Sequence, residues 1–401
     1  MRTFLIALCV LANGVAVAQP VITSEITAGP YMTGRELLTV VNPPIAIAAD
    51  GRSAAIAWSA LGRIHIARLD PTGRIDGAIR VLPIWSKKAG VEAHHPSLSR
   101  TPSNDGFVVA WIETGLTRPV AAFVFLDAGL TPATAPLLLP ANEVKTSIIV
   151  RAGATKVWIV ADRDVLEVES DGTARVRFGP ARFPLGGLAL AGDDPVAISR
   201  EGEGLSLCTC PGTGGVLSTC PLMCRLAYQR IDFRLYQPVA ATSSVFQVFT
   251  HTEVALAADG DELLVAWLNK RGADGGDVML STLHTSQPAS FQAAINAPIT
   301  IGRFAWDIAS ARPDIAANGK RRVVVWRDRG RHDYDVVGAS IDASGAVTRF
   351  DIATTKDDET NPSVYALPNG NFLVAYEKGL FGQRVVAWRY LLFEGRRRAV
   401  R

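Results

Sequence analysis

Several features that would assign a function are missing from this sequence of 401 residues. It contains no G-x-S-x-G, H-E-x-x-H, P-loop or S-x-D-x-G-x-x-W motif, so no common catalytic or phosphate-binding signature is present. Its formal net charge of +3 is too close to zero to indicate nucleic acid or an anionic membrane as a partner. We therefore expect no cofactor, no bound metal and no nucleic-acid partner.

Long apolar runs are also missing, apart from one at the N-terminus. Arg2, the apolar segment Phe4–Leu11 and the cleavage pattern Ala16-Val17-Ala18 together predict a secretory signal peptide over residues 1–18. The apolar segment is too short to span a bilayer. The sequence therefore predicts a mature chain that begins at Gln19, has no membrane span, is a monomer, and is secreted, periplasmic or attached to the cell surface.

What the sequence does have is a repeat. Each strong copy begins with a short alternating run, passes through a Gly-containing turn and ends in a mostly apolar strand closed by an aromatic residue. The closing aromatic residues recur about every 53 residues, slightly more than the roughly 40–50 of a propeller blade. The copies are Pro44–Trp58, Pro96–Trp111, Val254–Trp267, Pro313–Trp326 and Pro362–Tyr376, with weaker ones at Ile148–Trp158 and Leu188–Ser199.

Each part of the repeat has a physical meaning. Alternation over five or six residues is typical of a half-buried strand, and Gly at the turn supplies the positive φ of a tight hairpin. A continuously apolar second strand is typical of burial on both faces, and its closing Trp can fill the space between neighbouring sheets. Two further strands follow each strong copy, which gives four strands per repeat.

The predicted fold is therefore all-β: a β-propeller over residues 19–395, with seven four-stranded blades, followed by a basic tail at 396–401. The weak third and fourth repeats leave six or eight blades open. The last repeat has three strands, and Glu36–Val41 precedes the first repeat as a strand without a blade. Pairing the two would close the ring and remove both exposed edges.

The segment Arg322–Tyr376 resembles the tandem repeat of large exported bacterial proteins, especially those of myxobacteria. The resemblance implies an exported propeller and carries no activity with it. The matching positions are Val324, Val325, Trp326, Asp328, Arg331, Asp335, Gly338, Gly345, Pro362 and Val364.

Four cysteines lie together in an insert at about residues 205–226, within the fourth repeat. An even number of cysteines in an exported chain favours two disulfides, whereas four thiolates would be needed for a zinc site. Cys208 and Cys210 are each expected to pair with Cys220 or Cys224, and both connectivities stay open. We expect the two disulfides to clamp the insert as a loop. The alternative is that the insert projects as a flap that binds a partner.

Candidate site residues follow from the topology of the propeller. The connections between blades and the turns between second and third strands open on one face, where polar side chains form the usual candidate for a ligand site. The residues predicted on this face are Glu92, His94, His95, Asp274, Asp277, Arg331, His332, Asp333, Asp335, Asp357, Asp358 and Glu359.

Each group also has an alternative interpretation. Glu92 with His94 and His95 could ligate a metal, but adjacent side chains on an extended strand point apart. The acidic pairs lack the spacing of a calcium loop, which favours solvated turns.

Two functions remain open. The first is a recognition or scaffold module for a protein or glycan partner. The alternative is a glycan-acting hydrolase or lyase, which would need a pair of carboxylates about 5–10 Å apart. We expect carboxylates with shifted pKa values to converge in the central channel if the protein is an enzyme.

Overall fold

The computed structural model describes residues 19–32, 45–49, 53–141, 144, 147–178, 185–202, 230–236, 245–249, 254–270, 275–284, 298–305, 313–330, 333–380 and 384–393. Within these residues, 29 strands form seven antiparallel sheets. The predicted signal peptide, the segment Glu36–Val41, the four cysteines and the basic tail lie outside the described residues.

Sheets 1 to 6 are each built from four consecutive strands, whereas sheet 7 combines the last three strands of the chain with strands from the N-terminus. We number the sheets 1 to 7 in the order of their first strands, which are β3 (Ile45–Ala49), β7 (Glu92–Arg100), β11 (Ile148–Ala152), β15 (Leu185–Ala191), β19 (Ala255–Asp259), β23 (Asp314–Ala317) and β27 (Glu359–Ala366).

Most of the second strands are deeply buried, as the apolar runs predict. The second strands are β4 (Ala54–Ala60), β8 (Gly106–Thr114), β12 (Val157–Ala161), β16 (Asp194–Gly202), β20 (Glu262–Lys270), β24 (Arg321–Arg329) and β28 (Phe372–Lys378).

The third strands are β5 (Arg63–Leu69), β9 (Val120–Asp127), β13 (Asp164–Val168), β17 (Arg230–Tyr236), β21 (Gly275–His284), β25 (Tyr334–Asp342) and β29 (Arg384–Leu392). The outer strands of sheets 1 to 6 are β6 (Arg80–Val81), β10 (Leu137–Leu138), β14 (Ala174–Phe178), β18 (Val245–Phe249), β22 (Ile299–Ala305) and β26 (Val347–Ala353).

The seven first strands form a closed ring. Each contacts the first strand of the next sheet, and β27 contacts β3 to complete the circle. Side chains connect several neighbours, because Ser97 Oγ accepts a hydrogen bond from Val150 N at 2.9 Å and Asp314 Oδ2 accepts one from Val364 N at 2.8 Å. This is the arrangement of a β-propeller around a central channel.

The hydrophobic core is divided among the spaces between sheets. Seven apolar clusters are found among the described residues, and each joins two neighbouring sheets. Trp58, Trp111, Trp267 and Trp326 each fill one such space and are at most 1% exposed. The prediction that the closing Trp packs between blades is confirmed. Because large buried side chains supply most of the area removed from water, these spaces hold the sheets in the ring.

An N-terminal strand completes sheet 7, as predicted, but it is not the predicted segment. The strand β2 (Ile26–Met32) pairs antiparallel with β29, with Ile26 opposite Trp388, and β1 (Val21–Ile22) pairs farther along the same edge. Gly29 and Pro30 disfavour a strand in the sequence. The structure accommodates them at a register shift between Ala28 and Met32, on an edge where Pro is tolerated.

Glu25 fixes this N-terminal segment to sheet 7. Its carboxylate accepts hydrogen bonds from Tyr376 Oη and Lys378 Nζ, both at 2.6 Å, and lies 3.4 Å from the Arg389 guanidinium. Burial alone would raise the pKa of Glu25, but the bonds from Lys378 and Tyr376 lower it below its usual value. The beginning and the end of the propeller are thus joined by an ion-pair network as well as by a strand ladder.

Candidate functional site

The propeller presents two different faces. The C-terminal ends of β3, β7, β23 and β27 meet at one mouth of the channel, so these first strands run in the same direction. We call that side the turn face, because the turns from first to second strands lie there. The opposite side is the loop face, formed by the connections between sheets and by the turns from second to third strands.

The central channel contains a cavity of about 320 Å³, and all seven first strands contribute to its wall. Most of the lining side chains are small or apolar. The polar side chains among them include Arg151, Asp314, Ser97 and Ser363. Asp314 is already engaged, because its Oδ2 atom accepts hydrogen bonds from Val364 N and from Ser363 Oγ.

The described part of the channel wall therefore contains a single carboxylate, Asp314. The pair of channel carboxylates expected for a glycosidase is absent from these described lining residues. Ser363 and Val364 hold Asp314 as a link between sheets 6 and 7, which explains its position without catalysis.

Acidic side chains gather instead at the loop face of sheets 6 and 7. Asp333 and Asp335 lie where β24 turns into β25, next to Asp328 and Asp351. Burial, followed by the negative charges of Asp333, Asp351 and Asp328, raises the pKa of Asp335 to about 6. Arg349 offsets part of this charge, because its guanidinium donates to Asp328 Oδ2 at 2.6 Å.

Glu359 belongs to the same acidic group. It is the first residue of β27, is fully buried, and its carboxylate accepts hydrogen bonds from the Thr355 hydroxyl and the Thr355 backbone N–H. Burial raises the pKa of Glu359 despite these bonds, and the charge of Asp335 raises it further. Nearby, Lys378 Nζ lies 3.7 Å from Asp357 Oδ2. The topology thus places Asp333, Asp335, Asp357 and Glu359 in one sector, which we call the acidic sector.

The shifted pKa of Asp335 predicts how stability depends on pH. A carboxyl group whose folded-state pKa is raised stabilises the fold below its unfolded pKa, near 3.8, and loses that contribution as the pH rises through about 6. Replacing Asp335 by Asn should therefore stabilise the protein at pH 7 by about 1 kcal/mol, after allowance for solvent screening, and have little effect below pH 4. Urea unfolding at both pH values measures the difference.

Asp342, at the other end of β25, is the matched control. Its Oδ1 atom accepts hydrogen bonds from Ser344 Oγ and Ser344 N, which hold its pKa below the usual value. Asp342→Asn should therefore destabilise the protein at pH 7, and that loss should shrink as the pH falls. Equal effects of the two substitutions at pH 7 would show that Asp335 is not strained by its neighbours.

The group formed by Glu92, His94 and His95 lies at the start of β7 rather than in the predicted loop. Glu92 Oε2 is 3.3 Å from His94 Nε2, and burial lowers the pKa of His94. His95 is buried and has a φ of 53°, at a register shift between His94 and Ser97. The two imidazole rings are 6.1 Å apart and tilted.

The same backbone feature recurs in sheet 7, where Asn361 has a φ of 50° at a register shift in β27. Both His95 and Asn361 precede a proline, which disfavours the right-handed helical region for them. The recurrence identifies a bulge of the repeat at the loop-face mouth. This bulge accounts for the position of His95 on structural grounds.

The other predicted site residues are distributed differently. Asp277 lies within β21, is buried, and has Arg303 Nε at 3.9 Å from Oδ1. Asp358 precedes β27, and its backbone carbonyl accepts a hydrogen bond from Gly379 N. Asp274, Arg331, His332, Cys208, Cys210, Cys220 and Cys224 lie outside the described residues.

Three exposed apolar side chains on the loop face were missed by the sequence reasoning. Leu380 is 69% exposed in the turn after β28, Leu61 is 60% exposed in the turn after β4, and Trp85 is 40% exposed between sheets 1 and 2. Sheets 7 and 1 are neighbours in the ring. An apolar residue inside a Gly-containing turn, as in Leu61-Gly62 and Gly379-Leu380, is the signal that could have found two of them.

Two features are absent from the described ranges. These ranges contain no group of three or more His, Cys, Asp or Glu side chains arranged to hold a metal ion. They also contain no helix whose length and hydropathy would allow it to cross a membrane.

Three known structures are similar to this chain. The WD40 domain of coronin from Toxoplasma gondii matches with a TM-score of 0.51 and 11% identity, covering 95% of this chain and 90% of that one. Virginiamycin B lyase from Staphylococcus aureus has a TM-score of 0.48 and 11% identity, covering 92% and 99%. The NanB sialidase from Streptococcus pneumoniae has a TM-score of 0.42 and 8% identity, covering 91% and 70%.

The chain matches no protein-family model and no curated protein. At such low identities the structural likeness concerns the fold alone. Because WD40 domains are β-propellers, the likeness to coronin supports the architecture deduced from the strand order. The protein is an all-β chain with the β-propeller fold.

Proposed function

We propose that this protein is an exported, non-catalytic recognition or scaffold module whose loop face binds a protein or glycan partner. The predicted signal peptide and the resemblance to exported myxobacterial-type repeat proteins support export to the periplasm, the cell surface or the medium. The proposal for the binding face is carried by one observation: exposed apolar side chains lie beside the acidic sector on the loop face.

A propeller suits this role because its binding surface is built on rigid elements. Loops at the end of a closed ring of sheets lose little conformational freedom when they bind, which reduces the entropic cost of association. Leu380 lies in the turn after β28 of sheet 7, and Asp357, whose side chain is half-exposed, lies just before β27 of the same sheet. A partner can therefore contact an apolar anchor and a negative charge at the same end of one sheet.

The favoured partner is a protein segment that carries both basic and apolar residues. Basic side chains complement the acidic sector, and apolar side chains cover Leu380 and Leu61, which would otherwise stay in water. A glycan would use the carboxylates through hydroxyl groups but would gain little from exposed leucines. Trp85, on this face, could stack on a sugar ring.

A specific observation favours the second function, a glycan-acting hydrolase or lyase. A carboxyl with a pKa near 6, as in Asp335, can act as a general acid near neutral pH, and the charge of Glu359 is close enough to interact with it. Both residues lie at the loop face, outside the channel lining. Their position fits recognition by charge as well as it fits catalysis, so we place the enzyme second.

The test is a binding screen of the mature chain against glycan and peptide arrays that include basic amphipathic peptides. Leu380→Ser and Asp357→Asn should each weaken binding of the selected ligand at least tenfold, since each removes one component of the surface. Val347→Ser is the matched control. Val347 is also an exposed apolar residue, at 39%, but it lies in the outer strand of sheet 6, away from the loop face.

The outcomes separate the two functions. Loss of binding in the loop-face variants, with Val347→Ser unchanged, supports the recognition module. Ligands that bind all three variants equally would contradict the proposed face. Cleavage of an arrayed glycan that disappears in Asp335→Asn would replace the recognition module by the enzyme.

A further inference from the structure

The second mouth of the channel, on the turn face, opens into a cavity of its own. Its volume is about 580 Å³, within the range of small-molecule sites. Sheets 1, 2, 6 and 7 contribute to its wall, mainly through the turns that connect their first and second strands. None of the residues considered for the loop face takes part in it.

The described lining of this cavity is positively charged. Arg100, at the end of β7, and Lys320, in the turn after β23, both line it, and none of its described lining residues is acidic. The neighbouring carboxylates have partners of their own. Asp259 accepts from Gly319 N at 2.6 Å and lies 3.6 Å from Arg322, while Asp105 accepts from the hydroxyls of Thr101 and Ser103.

The wall of the cavity is held in place by side-chain amides. Asn318 Nδ2 donates to Gly370 O at 2.9 Å, which ties the turns of sheets 6 and 7 together, and Asn318 Oδ1 accepts from Arg321 N at 3.0 Å. The Arg100 guanidinium donates to Asn104 Oδ1. Because the cation of Arg100 is positioned in advance, a ligand would not have to order it.

An aromatic ring forms the floor. Tyr365, in β27, lines this cavity and also the cavity of about 320 Å³ deeper in the channel, as do Ala317 and Ala366. A third cation, Arg151, lines the deeper cavity. A ligand that enters from the turn face therefore meets two cations at the rim, and beyond them a flat half-buried ring and a further cation.

We propose that the turn-face cavity is a binding site for a small organic anion. Its carboxylate or phosphate group binds Arg100 and Lys320, and its body, a sugar ring or a comparably flat group, rests on Tyr365. Arg matches the two oxygens of a carboxylate or phosphate with its planar fork, and Lys adds a mobile point charge. This site is separate from the proposed loop-face function and does not depend on it.

The test uses three probes with nearly the same body and different charge: glucose, glucuronate and glucose 6-phosphate. Titration calorimetry on the mature chain should show at least tenfold tighter binding of one or both anions than of neutral glucose. The two anionic probes distinguish a carboxylate from a phosphate ligand. Raising the salt concentration should weaken binding, since the contact is between charges at a surface.

Substitutions locate the site. Lys320→Gln changes an exposed side chain and should reduce the affinity at least tenfold without changing the melting temperature. Arg100→Gln should do the same, and Arg100→Lys should recover part of the loss. Lys356→Gln removes an exposed lysine on the loop face and serves as the matched control.

Two results would overturn the proposal: neither anion binds better than glucose, or an anion binds as well to Lys320→Gln and Arg100→Gln as to the unmodified protein. Neither result bears on the loop face, which is tested by other variants and other ligands.

Discussion

Removal of residues 19–32 from the mature chain should abolish cooperative folding. The deletion removes both β1 and β2, which leaves the outer edge of β29 without hydrogen-bond partners. It also removes Glu25 and leaves Tyr376, Lys378 and Arg389 without their common acceptor. Unpaired backbone groups along an exposed edge promote association with other chains. We expect a broad unfolding curve in urea and concentration-dependent aggregation.

Complementation tests the reason for the loss. A synthetic peptide of residues 19–32, added to the truncated chain, should restore a cooperative transition, because the ladder with β29 can form between separate molecules. A peptide with Glu25→Ala should fail at concentrations where the unmodified peptide succeeds. The matched control is Ser24→Ala, since Ser24 is exposed and adjacent in sequence. A truncated chain that melts like the complete one would refute closure by this segment.

Closure at the N-terminus could be predicted, but the strand itself could not. The missing fourth strand of the last repeat and a free strand at the other end of the chain were enough to predict that the ends meet. Choosing Glu36–Val41 relied on strand propensity, which counts Gly29 and Pro30 against the segment that forms β2. Edge strands tolerate both residues, because one side of the strand makes no ladder bonds. Propensity alone does not reveal which strands are edges.

The repeat itself was predicted well because its signals report burial. A continuously apolar strand closed by Trp can be satisfied only between two covered faces, and Trp58, Trp111 and Trp326 are all fully buried. The predicted Gly-containing turns are also confirmed, since Gly319 and Gly370 have φ values of 77° and 86°. These features depend on local sequence, so they can be predicted without knowledge of the whole fold.

The candidate site was predictable in part. In a propeller, the connections between sheets lie on the same face as the turns between second and third strands. This rule was enough to predict that Asp335 and Glu359 lie on one face. The cations of the turn face were not found, because Arg100 and Lys320 lie far apart in the sequence and flank ordinary turns. Their convergence requires the ring to close, so only the three-dimensional structure shows it. The bulge before Pro96 was likewise missed, since Glu92 and His94 were placed in a loop.

Glu113 gives the second large effect. This glutamate is fully buried at the loop-face end of β8, and its carboxylate accepts hydrogen bonds from Trp85 N at 2.6 Å, Ser86 N at 3.0 Å and Trp111 Nε1 at 3.0 Å. Glu113→Ala leaves three buried or half-buried donors without an acceptor. Because hydrogen bonds to charged groups contribute about 1.5–3 kcal/mol each, we expect a loss of roughly 3–5 kcal/mol in the free energy of unfolding.

Denaturant unfolding measures this loss of stability, and hydrogen exchange shows which segment of the chain is affected. The amides of Trp85 and Ser86 should lose their protection in Glu113→Ala, while amides of sheets 3 to 5 should keep theirs at equal stability. Glu92→Ala is the matched control, since Glu92 lies opposite Thr114 on the neighbouring strand, has a half-exposed carboxylate and should cost less than about 1 kcal/mol. Equal losses for the two variants would mean that the carboxylate of Glu113 does not anchor this connection. A large loss confined to Glu113 would show that the segment carrying Trp85 onto the loop face is held from inside the propeller.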